Sequence, residues 1–346
     1  MNRNGRGSGR IAIPIGIILF LAGFPVIWFN EGRVDLSVLA EDSIELVSDQ
    51  YNPEYDGSLV SLSGEIQTDE LIGDPPYLKA QPYIELRRVA EMYAWEESGD
   101  DEDGYTYRKE WTTSPENSDN FDSPQGHHNP PMDVNGASFV ADAAQIGRFD
   151  IEPREIIFGQ VEEVDLSEGL VSGGQLSGNY LYLGSSVVPS DPEIGDIRLS
   201  YEAYRSNQFT TVFGEQQGER VVLWSDGDGT IIYRGYALNR EGGIAALRTE
   251  YLTALWGVRF GGLALFFFGL MIAVSPLRRI LGYVPILGNV GNFAIALAAF
   301  VIAFSVWLVT LIIAIILHNI IVLVIVLALS GIAGYYFYTT RQQKSV

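Results

Sequence analysis

At 346 residues and a formal charge of −21, the chain is long enough for more than one unit, and its acidity argues against nucleic acid as a partner because phosphates would be repelled. The charge is unevenly spread. Residues Glu31 to Glu250 hold all 43 acidic residues and 14 of the 22 basic ones, a segment charge of −29, while the remainder is apolar with eight basic groups and no acid. The absence of cysteine excludes disulfides, and the charge split points to a membrane protein carrying one large aqueous domain.

Residues 1–10 form a basic tail with Arg3, Arg6 and Arg10. The uncharged run Ile11 to Phe29 follows, and at 1.5 Å per residue its helix is roughly 28 Å long, about the thickness of the hydrocarbon core. No small-x-small cleavage motif follows it, so a retained anchor is expected over 11–29 rather than a cleaved signal.

Residues 30–250 are expected to form an acidic, extracytoplasmic or lumenal domain. Its pattern is mostly period-2 and rich in Val, Ile, Tyr and Thr. Strands are predicted at "SLVSLSGEIQ", "YIELRRVAEMYAW", "YTYRKEW", "NYLYLG", "DIRLSYEAYR", "FTTVFGEQ", "RVVLW" and "TIIYRGYAL", with "EESGDDED" (Glu96 to Asp103) as an acidic loop between two of them. Short helices are predicted at "PREIIFGQVEE" (Pro153 to Glu163) and "EGGIAALRTEYLTALW", the latter running into the second span. An acidic, lysine-poor surface of this kind suits a high-salt medium. "SDGDGT" (Ser225 to Thr230) lacks the residue order of a calcium loop and reads as a hairpin turn. His127 and His128 are adjacent, so in extended backbone they point opposite ways and cannot readily share a metal. The expectation is a shaped, hydrogen-bonded loop with no metal and no cofactor. Nucleophile, P-loop and dinucleotide motifs are missing, and no enzyme activity is expected.

Further spans are predicted at 251–274, 292–317 and 320–338, with a short basic loop at 275–291 (Arg278, Arg279) and a basic tail at 339–346. Four crossings place all the basic tails and loops on one face, which the positive-inside rule makes cytoplasmic. The expected fold class is therefore a multi-pass α-helical membrane protein, with one N-terminal and three C-terminal spans and a large β-rich α+β extracytoplasmic domain. Arg259 is a charge inside the second span, with no acid in any predicted span to pair with it. It is expected to snorkel to outer headgroups, or to contact a lipid phosphate or the base of the outer domain. Gly257 and Gly261 flank it in a small-xxx-small pattern that permits close helix packing.

Several motifs occur together and in order: "WFNEGR" (Trp28 to Arg33), "LRRVAEMYAWEE" (Leu86 to Glu97, with Arg88, Tyr93 and Trp95), "YRKEW", "NSDNFDSPQGHHNP" (ending on His127, His128, Asn129 and Pro130), "SFVADAAQIGRF", "PEIGDIRLSYE" and "TALWGVRFGGLALFFFGLMI". In this order they resemble the transmembrane protein 43 family, also called LUMA, over nearly the whole chain. The resemblance implies the same four-span layout. It also implies a scaffold role, because animal members are associated with the endoplasmic reticulum and inner nuclear membrane, self-associate, and are thought to organise complexes that include lamins and emerin. No catalytic residue is carried over. The basic loops are short and the domain is unusually acidic. The expected location is the cell membrane, with the large domain outside, for a prokaryotic-type member, and the endoplasmic reticulum or inner nuclear membrane for a eukaryotic one. The expected partners are membrane lipids, further copies of the chain and other membrane proteins. The alternatives are an ion- or ligand-binding sensor or enzyme at the His127–His128 loop, and, behind it, an oligomeric transporter.

Overall fold

The computed structural model describes residues 8–100, 104–167, 171–183, 188–275, 288–319, 323–325, 327–330 and 332. The chain divides into two compact units, residues 36–247 and residues 1–35 with 248–346.

The unit 36–247 is built mainly of strands. In chain order these are β1 (Ile44–Leu46), β2 (Leu59–Gln67), β3 (Ile72–Asp74), β4 (Leu78–Gln81), β5 (Tyr83–Asp100), β6 (Gly104–Thr112), β7 (Ala137–Val140), β8 (Ala144–Ile146), β9 (Phe149–Ile151) and β10 (Ile157–Gly159). They continue with β11 (Glu162–Glu163), β12 (Gly174–Ser177), β13 (Tyr180–Leu183), β14 (Ile197–Arg205), β15 (Gln208–Gln216), β16 (Arg220–Val222), β17 (Trp224–Ser225), β18 (Ile231–Ile232) and β19 (Arg234–Tyr236).

One sheet closes on itself: β2 pairs with β15 and β8, β8 with β9, β9 with β16, and β16 with β15. Closure leaves no free edge within this ring of five strands. The inward residues Val60, Leu62, Ile66, Ile146, Phe149, Val212 and Val221 fill it with β-branched and aromatic bulk. The second sheet is ordered β12-β13-β14-β5-β6, with β7 and β11 attached, over a separate core that includes Leu86, Met92, Leu181, Leu199 and Tyr201.

Two sequence expectations fail here. The segment Pro153 to Glu163 is not helical but carries β10 and β11. Its Ile156, Ile157 and Phe158 alternate buried, exposed, buried, and Gln160 has φ 62°, which no helix accommodates. The acidic stretch from Glu96 is not a loop as far as Asp100; it is the C-terminal end of β5. Opposite charges and aromatics across the ladder hold it there, with Glu96 opposite Arg108, Glu97 opposite Tyr107 and Trp95 opposite Lys109. The Asp226 to Thr230 turn does join two strands, β17 and β18, and Asp226 Oδ1 accepts from the Asp228 and Thr230 amides.

The other unit holds α1 (Ser8–Glu31), residues 248–273 of α3 (Arg240–Ala273) and α4 (Gly288–His318); α2 (Leu36–Glu41) belongs to the β-rich unit. Among the described residues, three helices are long and apolar enough to cross a membrane. The fourth expected span, 320–338, lies largely outside the described residues, as do Arg278, Arg279 and the C-terminal tail.

Helices α1 and α3 meet along small residues. A Cβ at Gly16 would fall 2.6 Å from the Gly269 carbonyl, one at Gly269 2.6 Å from the Phe20 amide, and one at Gly262 2.5 Å from Ile27. Gly23 abuts the Phe266 ring, which packs edge-on to Phe20 and Phe24 with centroids 5.1 and 5.0 Å away. In lipid, where apolar burial supplies little drive, such close backbone approach is what holds helices together.

Candidate functional site

On α3, Arg259, Gly262, Phe266, Gly269 and Ala273 recur at alternating spacings of three and four, so they share one helix face. On α1, Gly16, Phe20, Gly23, Ile27 and Asn30 follow the same rhythm. The two stripes pair, and the pairing ends in a polar knot.

Glu31, the last residue of α1, receives two parallel bonds from Arg259: Nε to Oε1 at 2.8 Å and Nη2 to Oε2 at 2.7 Å. The Arg259 side chain is 12% exposed and that of Glu31 5%. The guanidinium also lies 4.6 Å over the Trp256 ring, and the Trp307 indole N–H of α4 donates to the Arg259 carbonyl at 2.8 Å. Asn30 is buried and its Nδ2 donates to the Leu255 carbonyl at 3.1 Å, while its Oδ1 has no partner among the described residues. A second ion pair, Asp35 with Arg248, follows in the same unit. A bidentate, largely desolvated pair of this kind fixes helix register, because the fork accepts a carboxylate in one orientation only.

Of the contacts expected for Arg259, the structure shows the one with the base of the segment read as the outer domain, and neither snorkelling nor a lipid phosphate is needed: α1 continues two residues past the apolar run and delivers Glu31 to it. Gly257 and Gly261 do not serve packing within the helical unit: among the described residues a Cβ at either would meet nothing within 4 Å, and the glycines of α3 that pack against α1 are Gly262 and Gly269. The heptad-like rhythm through Arg259 was the available signal; the eye-catching i,i+4 pair lies on another face.

In the β-rich unit, His127 and His128 take different environments. The His127 ring stacks on Tyr107 at 3.7 Å and meets Trp95 edge-on at 4.7 Å, and its Nδ1–H donates to the Ser123 carbonyl at 2.9 Å. His128 is exposed, contacts Ser118 Oγ at 3.4 Å, and lines a cavity of about 350 Å³ together with Glu116, Asp119 and Pro130. Among the described residues, no group of three or more His, Asp or Glu side chains is placed to hold a metal. Asn129 organises the loop. Its Oδ1 accepts from the Trp95 amide at 2.7 Å, and its Nδ2 donates to the Trp95 carbonyl at 2.8 Å and the Glu116 carbonyl at 3.0 Å. The side-chain amide thus stands in for a neighbouring strand. Tyr107 donates to Glu97 at 2.6 Å; desolvation first, then this bond, push its hydroxyl above the ordinary range.

Arg88 Nη1 donates to both oxygens of buried Asp74, at 2.9 and 2.7 Å, and Tyr201 donates to the same carboxylate at 2.7 Å. Burial and that bond drive the Tyr201 hydroxyl strongly upward. Tyr93 packs on Trp111 with centroids 5.3 Å apart. Arg88, Tyr93, Trp95 and Asn129 therefore serve the second sheet and its loop, whereas Arg259 belongs to the helical unit.

A family model described as Transmembrane protein 43 matches residues 90–320. Transmembrane protein 43 of Mus musculus is 30% identical over 338 residues, covering 86% of this chain and 82% of the mouse protein; the Homo sapiens protein is 30% identical over 339 residues with the same coverage. Transmembrane protein 43 homolog of Drosophila melanogaster is 29% identical over 299 residues, 79% of each chain. These animal relatives lend no support to a prokaryotic-type assignment. No solved structure matches. A helical unit with apolar spans, a β-rich unit carrying the "GHHNP" loop, and these matches together make the chain a membrane protein belonging to the transmembrane protein 43 family.

Proposed function

We propose that this protein is an integral membrane scaffold. It self-associates through its spans and aqueous domain and gathers other membrane proteins around it. The observation that carries the reading is the bare face of α3. Among the described residues a Cβ at Gly257 or Gly261 would meet nothing within 4 Å, while Trp256 and Phe260, on the same helix, are 45% and 58% exposed with their rings 5.8 Å apart. Small residues let a second helix approach closely, and flanking aromatics add contact area. The internal packing of α1 on α3 uses other glycines, so this face is free to serve association.

In this reading the acidic domain lies on the extracytoplasmic or lumenal side, and the residing membrane is the cell membrane or the endoplasmic reticulum and inner nuclear membrane, according to source. The test is the mass of the full chain in nanodiscs and in crosslinked intact membranes. The wild type is expected as an oligomer, and Gly257→Leu with Gly261→Leu is expected to lower the mass without lowering thermal stability. A wild type that is monomeric and without crosslinked neighbours would remove the scaffold reading.

A further inference from the structure

We infer that the helical unit holds one glycerophospholipid, with an acyl chain in a groove between α1 and α4 and the phosphate at Arg33. This inference does not depend on the scaffold reading. The groove has a volume of about 690 Å³ and is lined by Phe24, Trp28 and Phe29 of α1 and Val306, Val309 and Ile313 of α4. That is within the range that encloses most of a small ligand. Its two hydroxyl-bearing residues are already satisfied: Ser305 Oγ donates to the Val301 carbonyl and Thr310 Oγ1 to the Val306 carbonyl, each at 2.8 Å. Apart from the indole N–H of Trp28, at the end nearest Arg33, no lining side chain offers an unsatisfied polar group, and the chemistry that fits the groove is a hydrocarbon chain. The described residues of the last apolar run, 323–325, 327–330 and 332, are exposed apart from Leu323, and none of them lines the groove.

One end of the groove is chemically distinct. Trp28 packs on His318 with ring centroids 4.4 Å apart, and Gly32 lies so close to His318 that a Cβ there would sit 3.0 Å from the imidazole. The His318 Nδ1–H donates to the Ala314 carbonyl at 3.0 Å, which fixes the ring. Arg33 follows Gly32 and is exposed. The acids on either side of it in the chain are already engaged, Glu31 by Arg259 and Asp35 by Arg248. Among the described residues no carboxylate pairs with Arg33. An aromatic and an imidazole at the end of two spans, next to an uncompensated guanidinium, form a boundary that complements a lipid phosphate above an acyl chain.

The test uses delipidated full-length protein and native mass spectrometry, with dioleoylphosphatidylglycerol and, as a phosphate-free analogue with the same tails, dioleoylglycerol. The expected result is one retained phosphatidylglycerol, held about fivefold more tightly than dioleoylglycerol, in keeping with one cation near a phosphate. Arg33→Gln is expected to abolish the difference while leaving the tail-dependent adduct. Ser305→Trp with Val309→Trp fills the groove from exposed positions and is expected to abolish both adducts, whereas Val301→Trp, exposed and outside the groove, retains them. An adduct that survives the groove-filling variant would show annular lipid only. A lipid preference unchanged in Arg33→Gln, or a protein dimer in place of a lipid adduct, would equally overturn the inference.

Discussion

Removing the charge of Glu31 tests the polar knot most sharply. Glu31→Leu leaves the Arg259 guanidinium, only 12% exposed, without its two bonds to Oε1 and Oε2. Two unit charges about 4 Å apart at an effective dielectric near 20 attract by about 4 kcal/mol, and breaking a buried pair from one side costs about 3–5 kcal/mol. Because the pair sits at the end of α1 rather than mid-span, where the stranded cation can reach water, the expected loss is at the lower end, about 3 kcal/mol. Arg259→Leu strands Glu31 and is expected to cost a similar amount. Replacing both by Leu leaves no unpaired charge, and the double variant is expected to be more stable than either single one. The assay is reversible unfolding of the helical signal in bicelles, read as a double-mutant cycle. Additive losses, or a Glu31→Leu cost below about 1 kcal/mol, would refute the claim that this pair locks α1 to α3.

The two glycine sets should separate cleanly: Gly269→Val should destabilise the helical unit because its Cβ would fall 2.6 Å from a backbone nitrogen, and Gly257→Leu should leave the monomer's melting temperature unchanged. In the "GHHNP" loop, Asn129→Ala should cost about 2–3 kcal/mol in chemical denaturation, because it orphans the Trp95 amide and two carbonyls. By the same assay His127→Ala should cost about 1 kcal/mol of ring packing and His128→Ala less than about 0.5 kcal/mol, and the reverse order would contradict the placement of the two rings. The Asp56 carboxyl is held below its ordinary value first by Gln216, then by Tyr51 and the Gly218 amide. A carboxyl depressed in the folded state stabilises above its unfolded value and loses that contribution as the pH falls through its folded value. Stability should therefore decline below about pH 4, and Asp56→Asn should flatten that decline in a pH series of melting temperatures.

Three of the apolar helices and most strands could be read from the sequence because hydropathy and period-2 alternation are local signals: β14 and β15 follow their predicted runs to within a residue at either end. What was not legible was set by partners distant in sequence. Glu96 to Asp100 looked like a loop by composition, and the stretch is strand because β6 supplies Arg108 and Tyr107 opposite it. In the sequence Glu31 reads as the start of the aqueous domain because the apolar run stops at Phe29, and only the pairing of two helix faces shows it facing Arg259. The histidine pair stands out in a chain with three histidines, whereas Asn129 beside it makes the bonds that shape the loop. The closed ring of β2, β8, β9, β16 and β15 rests on pairings between strands up to about 150 residues apart, which no local pattern encodes.

Because the chain has no cysteine, a single introduced thiol reports its own neighbours without background. Disulfide crosslinking of Gly261→Cys in native membranes tests the scaffold reading most directly, with Val301→Cys as the lipid-facing control. The account predicts a covalent dimer from Gly261→Cys and none from the control; Gly261→Cys remaining monomeric under oxidant, or crosslinking no better than Val301→Cys, would contradict it.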